Sequence, residues 1–362
     1  MSTSFYLKSI EFENYRGFDK LKIVNFKRIN LIGGFNGTGK TTLLETIFLI
    51  ADRRNPMALG RHFLWRKMSM AGKGSLDQYF FNLDDSKPVS INAVTNGGVL
   101  NMSLAFAPPP PSLTFQVSIS QADGKPVENP QNSLAADTAG LHIESTLDGK
   151  PDDASYAIPQ NLGMAVNLYR VASSKIPPVA IITPATRNNP QEDAGRFSEL
   201  ARKNQIPKLL KSLSIIRRDI VSIQLLQDAQ QPTLYAQNAE GQLFPFALLG
   251  DGVQTILSIA LTIMNCPGGI VLLDEFEAAI HYSVMPQVWT VIADLANQFN
   301  CQIFAVTHSR ECVEFAVEGI ARGSRPADLQ YIRLEKNDSK LNAIYYNSED
   351  LSDSLNADWE IR

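Results

Sequence analysis

The stretch Gly34-Phe35-Asn36-Gly37-Thr38-Gly39-Lys40-Thr41 matches the spacing G-x-x-x-x-G-K-[ST]. A short run, Arg28 to Ile32, leads into Gly33 and Gly34 and predicts a strand before the loop, and apolar residues at helical spacing predict a helix over 40–51. Glycines in such a loop let backbone N–H groups surround phosphate oxygens, and the helix dipole favours the same anion. The sequence therefore predicts a nucleotide phosphate site, to which we assign Gly34, Asn36, Gly37, Thr38, Gly39, Lys40, Thr41 and Thr42.

Two carboxylates, Asp274 and Glu275, follow the apolar run 270–273, which predicts a buried strand. Ligands of open α/β sheets bind at the carboxyl ends of strands, so these side chains are candidates for the same site. We expect Asp274 and Thr41 to hold Mg²⁺ and Glu275 to accept a proton from the water that attacks the terminal phosphate. Two acids after a strand are common by themselves, and it is the glycine loop that favours this interpretation.

A histidine, His308, ends the next predicted strand, Gln302 to Val306. A lone histidine at a strand end is usually structural. Its position after the acidic strand favours a sensor that donates a hydrogen bond to the terminal phosphate or to the attacking water. Glu275, His308 and Lys40 are therefore the predicted catalytic residues.

Composition sets the class of protein. The chain has 362 residues, of which 44% are apolar and 19% charged, as in globular proteins, and this length fits two units or one large α/β domain. A net charge of -4 excludes a strongly basic coat for nucleic acid. Five cations remain candidates for a local DNA surface, although scattered cations are more often solvated: Arg61, Arg66, Lys67, Arg217 and Arg218.

Cysteine usage and hydropathy predict the compartment. Cys266, Cys301 and Cys312 are odd in number and show no C-x-x-C spacing, which argues against a disulfide framework or a zinc knuckle. The N-terminus lacks the apolar core of a signal peptide, and no run of 18 apolar residues occurs. We expect a cytoplasmic protein that does not enter a membrane.

The remaining patterns organise the chain. Alternation predicts a half-buried strand over 6–12, and Asn96-Gly97-Gly98 predicts a hairpin between 88–94 and 99–106. A helical pattern covers 194–226, whereas 108–160 is rich in turn residues and fits short strands or an insertion. From residue 244 onward, predicted helices near Gly252 and over 285–298 alternate with the two strands above, which predicts a parallel sheet and an α/β fold.

Together these motifs resemble the ABC-type ATPases of the RecF/SMC branch, and most of all the smaller OLD-like ATPases of bacterial anti-phage systems. The resemblance rests on the phosphate loop and on five further stretches: 12–18, 249–254, 274–277, 306–309 and 331–334. It implies a P-loop NTPase of the ABC type, with a mixed sheet core, a β lobe and an inserted helical lobe. The ATPase core would be residues 1–106 and 235–362, and the inserted lobe 107–234.

The resemblance also implies ATP and Mg²⁺ as ligands, and a homodimer or higher homo-oligomer closed around two ATP molecules. Gly250, Asp251 and Gly252 would contact the nucleotide held by the other subunit, and 277–281 would be the adjoining loop. This segment departs from the family's Leu-Ser-Gly-Gly-Gln pattern, because Leu249 and Gly250 offer no hydroxyl.

Two further residues are candidates for the nucleotide site. Arg16 would touch the nucleotide, and Gln78 would be the glutamine that senses Mg²⁺. A solvated surface residue is the alternative for each.

These features predict an ATP-driven switch that controls a separate effector, a nuclease or a toxin, in anti-phage defence. Too few residues follow His308 for the Toprim nuclease domain of the OLD nucleases, and no heptad array offers the arms of SMC proteins. Two alternatives stay open: a RecF-like DNA-binding repair factor, and a nucleotide-binding scaffold with little turnover.

Overall fold

The computed structural model describes residues 6–55, 57–68, 73–109, 117–120, 126–127, 139–160, 163–228, 231–322, 328–337 and 340–356. The chain divides into two compact units. The first comprises Met1–Phe26, Gly37–Pro177 and Leu334–Ala343, and the second Lys27–Asn36, Pro178–Arg333 and Ile344–Arg362. These bounds differ from the predicted division after residues 106 and 234. The assignment of an ATPase core and an inserted lobe stays a prediction.

The strands, in chain order, are β1 (Leu7–Tyr15), β2 (Phe18–Ile23), β3 (Ile29–Gly34), β4 (Val89–Thr95), β5 (Gly98–Ala107), β6 (Val117–Ser120), β7 (Pro126–Val127), β8 (Gly140–Leu147), β9 (Lys150–Gln160), β10 (Gly163–Arg170), β11 (Val179–Ile182), β12 (Ser222–Asp228), β13 (Gln231–Gln237), β14 (Leu243–Pro245), β15 (Ile270–Asp274), β16 (Gln302–Val306), β17 (Leu329–Asn337) and β18 (Lys340–Asn347). The α-helices are α1 (Lys40–Ala51), α2 (Ala58–Trp65), α3 (Lys73–Asp77), α4 (Pro190–Arg202), α5 (Ile206–Leu213), α6 (Asp251–Met264), α7 (Met285–Gln298), α8 (Arg310–Arg322) and α9 (Ser348–Asn356).

The first unit is built on a nine-stranded antiparallel sheet of order β2-β1-β4-β5-β8-β9-β10-β6-β7. The predicted half-buried strand is confirmed as β1, with Ile10 and Phe12 buried. The predicted hairpin is confirmed as β4 and β5, in which Thr95 pairs with Gly98. Within 108–160 the structure has the long strands β8 and β9, whereas 110–116, 121–125 and 128–138 lie outside the described residues.

The second unit contains a six-stranded sheet of order β11-β15-β16-β3-β17-β18. β11 pairs with β15, β15 with β16, and β16 with β3, all in parallel, which confirms the predicted parallel sheet and the α/β class. All residues of β3, β15 and β16 are buried. A strand covered on both faces needs apolar residues without alternation, and this explains the continuous apolar run 270–273.

Helices α4 to α8 pack around the apolar core of this unit, in which α6 and α7 contribute most of their residues. The α7 prediction is confirmed from Met285 to Gln298. The helical pattern over 194–226 is wrong at its end, because residues 222–228 form β12 and pair with β13. Cross-strand partners such as Leu225 opposite Leu234 decide the structure here, since pairing in a sheet outweighs weak helical spacing.

None of the helices within the described ranges is both long and apolar enough to span a membrane.

The contact between α7 and α8 predicts a loss of stability in Gly319→Ala. A Cβ atom at Gly319 would lie 2.2 Å from the carbonyl oxygen of Pro286 and 2.7 Å from Cβ of Trp289, so the two helices would have to separate. We expect the free energy of unfolding in urea to fall by about 1–3 kcal/mol, the usual cost of overpacking.

The matched control is Gly195→Ala in α4, where a Cβ would meet nothing within 4 Å. This change should raise the free energy of unfolding by about 0.5–1 kcal/mol, because alanine is the better helix former. Equal effects of the two substitutions would contradict the packing explanation.

Candidate functional site

Three parallel strands of the second unit end at one edge of the sheet. Asp274, the last residue of β15, is opposite Val306, the last residue of β16. Beyond these ends, the backbone N–H of Glu275 donates to the Val306 carbonyl at 3.2 Å, and that of Thr307 donates to the Ile32 carbonyl of β3 at 3.1 Å. The two predicted acidic residues, the segment that carries His308 and the start of the glycine loop therefore meet at this edge.

The backbone turns sharply after β15. Glu275 has φ 48° and ψ 37°, the left-handed conformation, which costs a residue with a side chain roughly 1–2 kcal/mol. The turn leads into a short 3-10 helix, Phe276–Ala279, and leaves Asp274 buried while the side chain of Glu275 is 43% exposed. The two neighbouring carboxylates thus face different surroundings, one shielded and one open to water.

Glu275 is paired with His308. Oε1 of Glu275 lies 3.1 Å from Nε2 of His308, and 37% of the histidine side chain is exposed. Both groups are therefore accessible to a water molecule or to a phosphate oxygen. This arrangement suits a general base held by a polar neighbour.

A second pair of side chains lies beside the first. Oγ1 of Thr307 donates a hydrogen bond of 2.5 Å to Oε1 of Glu277, and it accepts one of 3.0 Å from the backbone N–H of Ser309. Burial raises the pKa of Glu277, and the hydrogen bond from Thr307 opposes that shift. Thr307 is fully buried at 2% exposure, so this pair is shielded from solvent.

The glycine loop has the backbone that its sequence predicts. Gly34, Gly37 and Gly39 have φ values of 132°, 78° and 84°. α1 begins at Lys40, which is buried, and its first intrahelical hydrogen bond runs from Leu43 N to Gly39 O at 2.9 Å. A Cβ at Gly39 would lie 2.2 Å from the ring of Phe18, so only glycine fits this conformation and this space.

A buried carboxylate on α1, Glu45, organises the first unit next to the loop. Its side chain is 1% exposed and lies 3.5 Å from Nη1 of Arg16, and it accepts hydrogen bonds of 2.6 and 2.9 Å from Nε and Nη2 of Arg66. The same Arg66 donates to Oγ1 of Thr42 at 3.1 Å. Burial alone would raise the pKa of Glu45, but Arg16 and Arg66 outweigh it, and the net pKa is lowered.

Arg16 and His62 extend this cluster. The guanidinium carbon of Arg16 lies 4.7 Å from the ring centroid of Tyr79, and the backbone N–H of Arg16 donates to the Tyr79 carbonyl at 3.0 Å. The hydroxyl of Tyr79 lies 3.3 Å from Nδ1 of His62. Burial lowers the pKa of His62 to about 3, so the imidazole is neutral in the folded protein.

The predicted signature segment begins α6. Gly250 has φ 87°, and the helix starts at Asp251. A Cβ at Gly252 would lie 2.9 Å from the carbonyl oxygen of Ala279, so the start of α6 lies directly against the 3-10 helix that follows Glu275. Two apolar side chains flanking these segments are largely exposed, Leu248 at 75% and Tyr282 at 67%.

The predicted residues thus fall into two groups. The second unit brings Asp274, Glu275 and His308 together, and it also carries Gly34, Asn36 and the segment 250–252. The first unit carries residues 37–42, Arg16, and Gln78, which is half-buried in the turn after α3. The contacts of four further residues were not predicted: Glu45 and Arg66 in the first unit, and Thr307 and Glu277 in the second. Of these, Glu277 belongs to the predicted adjoining loop 277–281, and Arg66 was predicted only as a candidate cation for DNA. The sequence marks Thr307 and Glu277 only by their positions, since Thr307 directly precedes His308 and Glu277 follows Glu275 by two residues.

No group of three or more His, Cys, Asp or Glu side chains within the described ranges is arranged to hold a metal ion. Mg²⁺ seldom needs such a group, because it is commonly bound by one or two carboxylates together with substrate phosphates and water. The hydroxyl of Thr41 and the carboxylate of Asp274 are oxygen donors of the right kind.

The candidate cations for DNA are mostly engaged with carboxylates. Arg61 lies 3.3 Å from Asp52, Arg66 is held by Glu45, and Arg217 lies 2.6 Å from Asp219. Lys67 and Arg218 are exposed. The described residues therefore favour the solvated-surface interpretation of these cations.

Comparison with known proteins gives one family match. The family model described as "AAA domain, putative AbiEii toxin, Type IV TA system" matches residues 29–314. An "ATP/GTP phosphatase" of Helicobacter pylori is 24% identical over 326 residues, which cover 85% of this chain and 86% of that protein. An uncharacterized protein of Methanocaldococcus jannaschii is 29% identical over 85 residues, which cover 24% of this chain and 75% of that protein.

The solved structures that this chain matches include SMC head domains. The head domain from Thermotoga maritima is 11% identical, with a TM-score of 0.44 over 94% of this chain and 99% of that chain. A head domain bound to the C-winged helix domain of ScpA is also 11% identical, with a TM-score of 0.46 over 96% of this chain and 99% of that chain.

The buried neutral His62 predicts that the protein loses stability in acid. Its pKa is about 3 when folded and about 6.5 when unfolded, so below pH 6.5 the unfolded state binds the extra proton. Stability should therefore fall as the pH drops from 6.5 toward 3, by up to about 1.4 kcal/mol per pH unit from this group.

The measurement is the free energy of unfolding of wild type and His62→Asn between pH 7.5 and 4.5. Groups that titrate alike in both proteins contribute equally to the two free energies of unfolding, so they cancel when one is subtracted from the other. The remaining difference, wild type minus His62→Asn, should therefore decrease as the pH falls. A gap that stays constant over this range would exclude His62 as the group responsible.

Proposed function

The chain belongs to the family described as "AAA domain, putative AbiEii toxin, Type IV TA system", and from this premise we propose that it binds ATP on the loop Gly34–Thr41 and hydrolyses it beside Glu275. The family and the Helicobacter relative make it an ATPase. One observation carries the choice of residues: the ends of β3, β15 and β16 lie at one edge, where Glu275 and His308 are 3.1 Å apart.

Glu275 is the proposed general base. Its exposed carboxylate accepts a proton from the attacking water while Nε2 of His308 holds its orientation. A neutral imidazole has a single N–H, so His308 senses the terminal phosphate when this N–H passes from Glu275 to a phosphate oxygen. Lys40 and the backbone N–H groups of the loop stabilise the negative charge that grows on the phosphate oxygens.

Thr41 and Asp274 are the proposed ligands of Mg²⁺, because a hydroxyl and a carboxylate match its preference for oxygen. When bound, this ion neutralises charge on the phosphates. Gln78 and Arg16 stay predicted members of the site, and in this structure Arg16 pairs with Glu45.

We further propose that nucleotide binding closes a homodimer. The N-terminus of α6 at Gly250–Gly252 presents backbone N–H groups that can bind a phosphate, as helix N-termini do. Leu248 precedes this segment, Tyr282 follows the neighbouring 3-10 helix, and both side chains are largely exposed, so each is accessible to a second subunit. A closed and an open state then form an ATP-driven switch.

The proposed output is control of a separate effector, a nuclease or a toxin, in anti-phage defence. The family's description names a putative toxin of a toxin–antitoxin system, which supports a role in such a system. The RecF-like DNA-binding alternative has less support, because Arg61, Arg66 and Arg217 are paired with carboxylates. The nonhydrolysing scaffold is the alternative that the rate of phosphate release decides.

Glu275→Gln tests the hydrolytic site. The amide cannot accept the proton, so we expect the rate of phosphate release to fall by about 100-fold or more while ATP affinity is kept. Glu314→Gln is the control, because Glu314 is a partly exposed acid of α8 that pairs with Arg310. The rate of phosphate release of this variant should equal that of wild type. A wild-type rate in Glu275→Gln would remove Glu275 from the base role.

The mass of the purified protein tests the switch. With ATP, Glu275→Gln should form a particle of at least twice the 40.0 kDa protomer mass, and Lys40→Ala should not. Light scattering with and without ATP measures this directly. A particle mass that is the same with and without ATP would refute nucleotide-driven closure.

Purification from native cells tests the effector. The tagged chain should retain a specific second protein whose amount depends on ATP. A chain that binds no other protein in either condition would contradict the effector proposal.

A further inference from the structure

Two side-chain bridges connect the segments that follow β15 and β16. The outer bridge joins Glu275 to His308, and the inner one joins Glu277 to Thr307. Both acids lie on one segment and both partners on the other. Because the residues within each segment are close neighbours, the inner bridge limits how far the outer pair can move.

The hydroxyl of Thr307 makes a hydrogen bond with each of the two segments. It has one proton, which it gives to Glu277, and it accepts a hydrogen bond from the backbone N–H of Ser309. Oγ of Ser309 in turn accepts from the backbone N–H of Cys312 at 3.1 Å, in the first turn of α8. His308 therefore lies in a loop whose residues on both sides are fixed by hydrogen bonds.

The two bridges differ in their contact with water. Glu275 and His308 are 43% and 37% exposed, which suits groups that meet a substrate. Thr307 is 2% exposed, and a hydrogen bond shielded in this way is stronger than one in water. The outer pair is thus placed to react, and the inner pair is placed to hold it.

We propose that Glu277 is a positioning residue for ATP hydrolysis, which acts by holding Thr307 and thereby keeps His308 and Glu275 within hydrogen-bond distance. This inference rests on the proposed function. Misplacing a reacting group by about 1 Å can cost about 100-fold in rate. Loss of the inner bridge should therefore lower the rate of the chemical step more than the affinity for ATP.

The test compares Thr307→Val and Glu277→Ala, which each remove one side of the bridge, with Thr307→Ser, which keeps the hydroxyl. We expect kcat for ATP to fall about tenfold or more in the first two, with KM changed by less than about twofold. Thr307→Ser should restore at least about half of the wild-type kcat, which a purely steric role would not predict. Glu314→Gln again serves as the control.

The double variant Thr307→Val with Glu277→Ala measures the coupling. If the two residues act through one bridge, the kcat of the double variant should be no lower than the kcat of the less active single variant. Losses that multiply in the double variant, or single variants that both lose less than about fivefold, would overturn the proposal.

Thermal unfolding shows whether each variant is folded. If Thr307→Val or Glu277→Ala is unfolded, the kcat of the folded Thr307→Ser variant still tests the role of the hydroxyl. A wild-type protein that does not hydrolyse ATP would defeat the proposed function itself, whereas an active wild type with active bridge variants would defeat the positioning role alone.

Discussion

Parallel pairing of β3, β16 and β15 is the constraint on which the candidate site depends. Residues that are more than 230 positions apart in the chain become neighbours because these strands run in the same direction and end together. The backbone hydrogen bonds at the strand ends, from Glu275 N–H to the Val306 carbonyl and from Thr307 N–H to the Ile32 carbonyl, help to fix the register. Apolar alternation cannot do so, because both faces of these strands are buried. The chemistry of the acidic turn is therefore a product of sheet order rather than of local sequence.

Buried charge plays a different role in each unit. In the first, Glu45 lies between Arg16 and Arg66 and thereby ties the turn after β1 and the end of α2 to α1. In the second, Glu277 uses a neutral hydroxyl as its partner. Removing one member of a buried ion pair leaves an uncompensated charge and is strongly destabilising, whereas removing the Thr307 hydroxyl takes one hydrogen-bond donor from the carboxylate of Glu277. The first cluster joins three segments of its unit, and in our proposal the second holds the pair that reacts.

Much of the fold could be predicted from the sequence because its signals were local. The bounds of α1 and α7 follow from apolar spacing, and Asn96-Gly97-Gly98 marks the β4–β5 hairpin. β12 was missed because its stability comes from pairing with β13, which no local period reveals. The partners of Glu45 and Glu277 were missed for the same reason: the arginines and the threonine that hold them are far away in the chain, and only the tertiary structure brings them together.

The close approach of Gly252 to the carbonyl oxygen of Ala279 is a contact between two main chains. Side chains do not contribute to this contact, so it requires glycine at position 252 and does not restrict the side chains of the neighbouring residues. Glycine at 252 is therefore required by the packing of α6 against the 3-10 helix Phe276–Ala279, independently of any ligand that this segment binds.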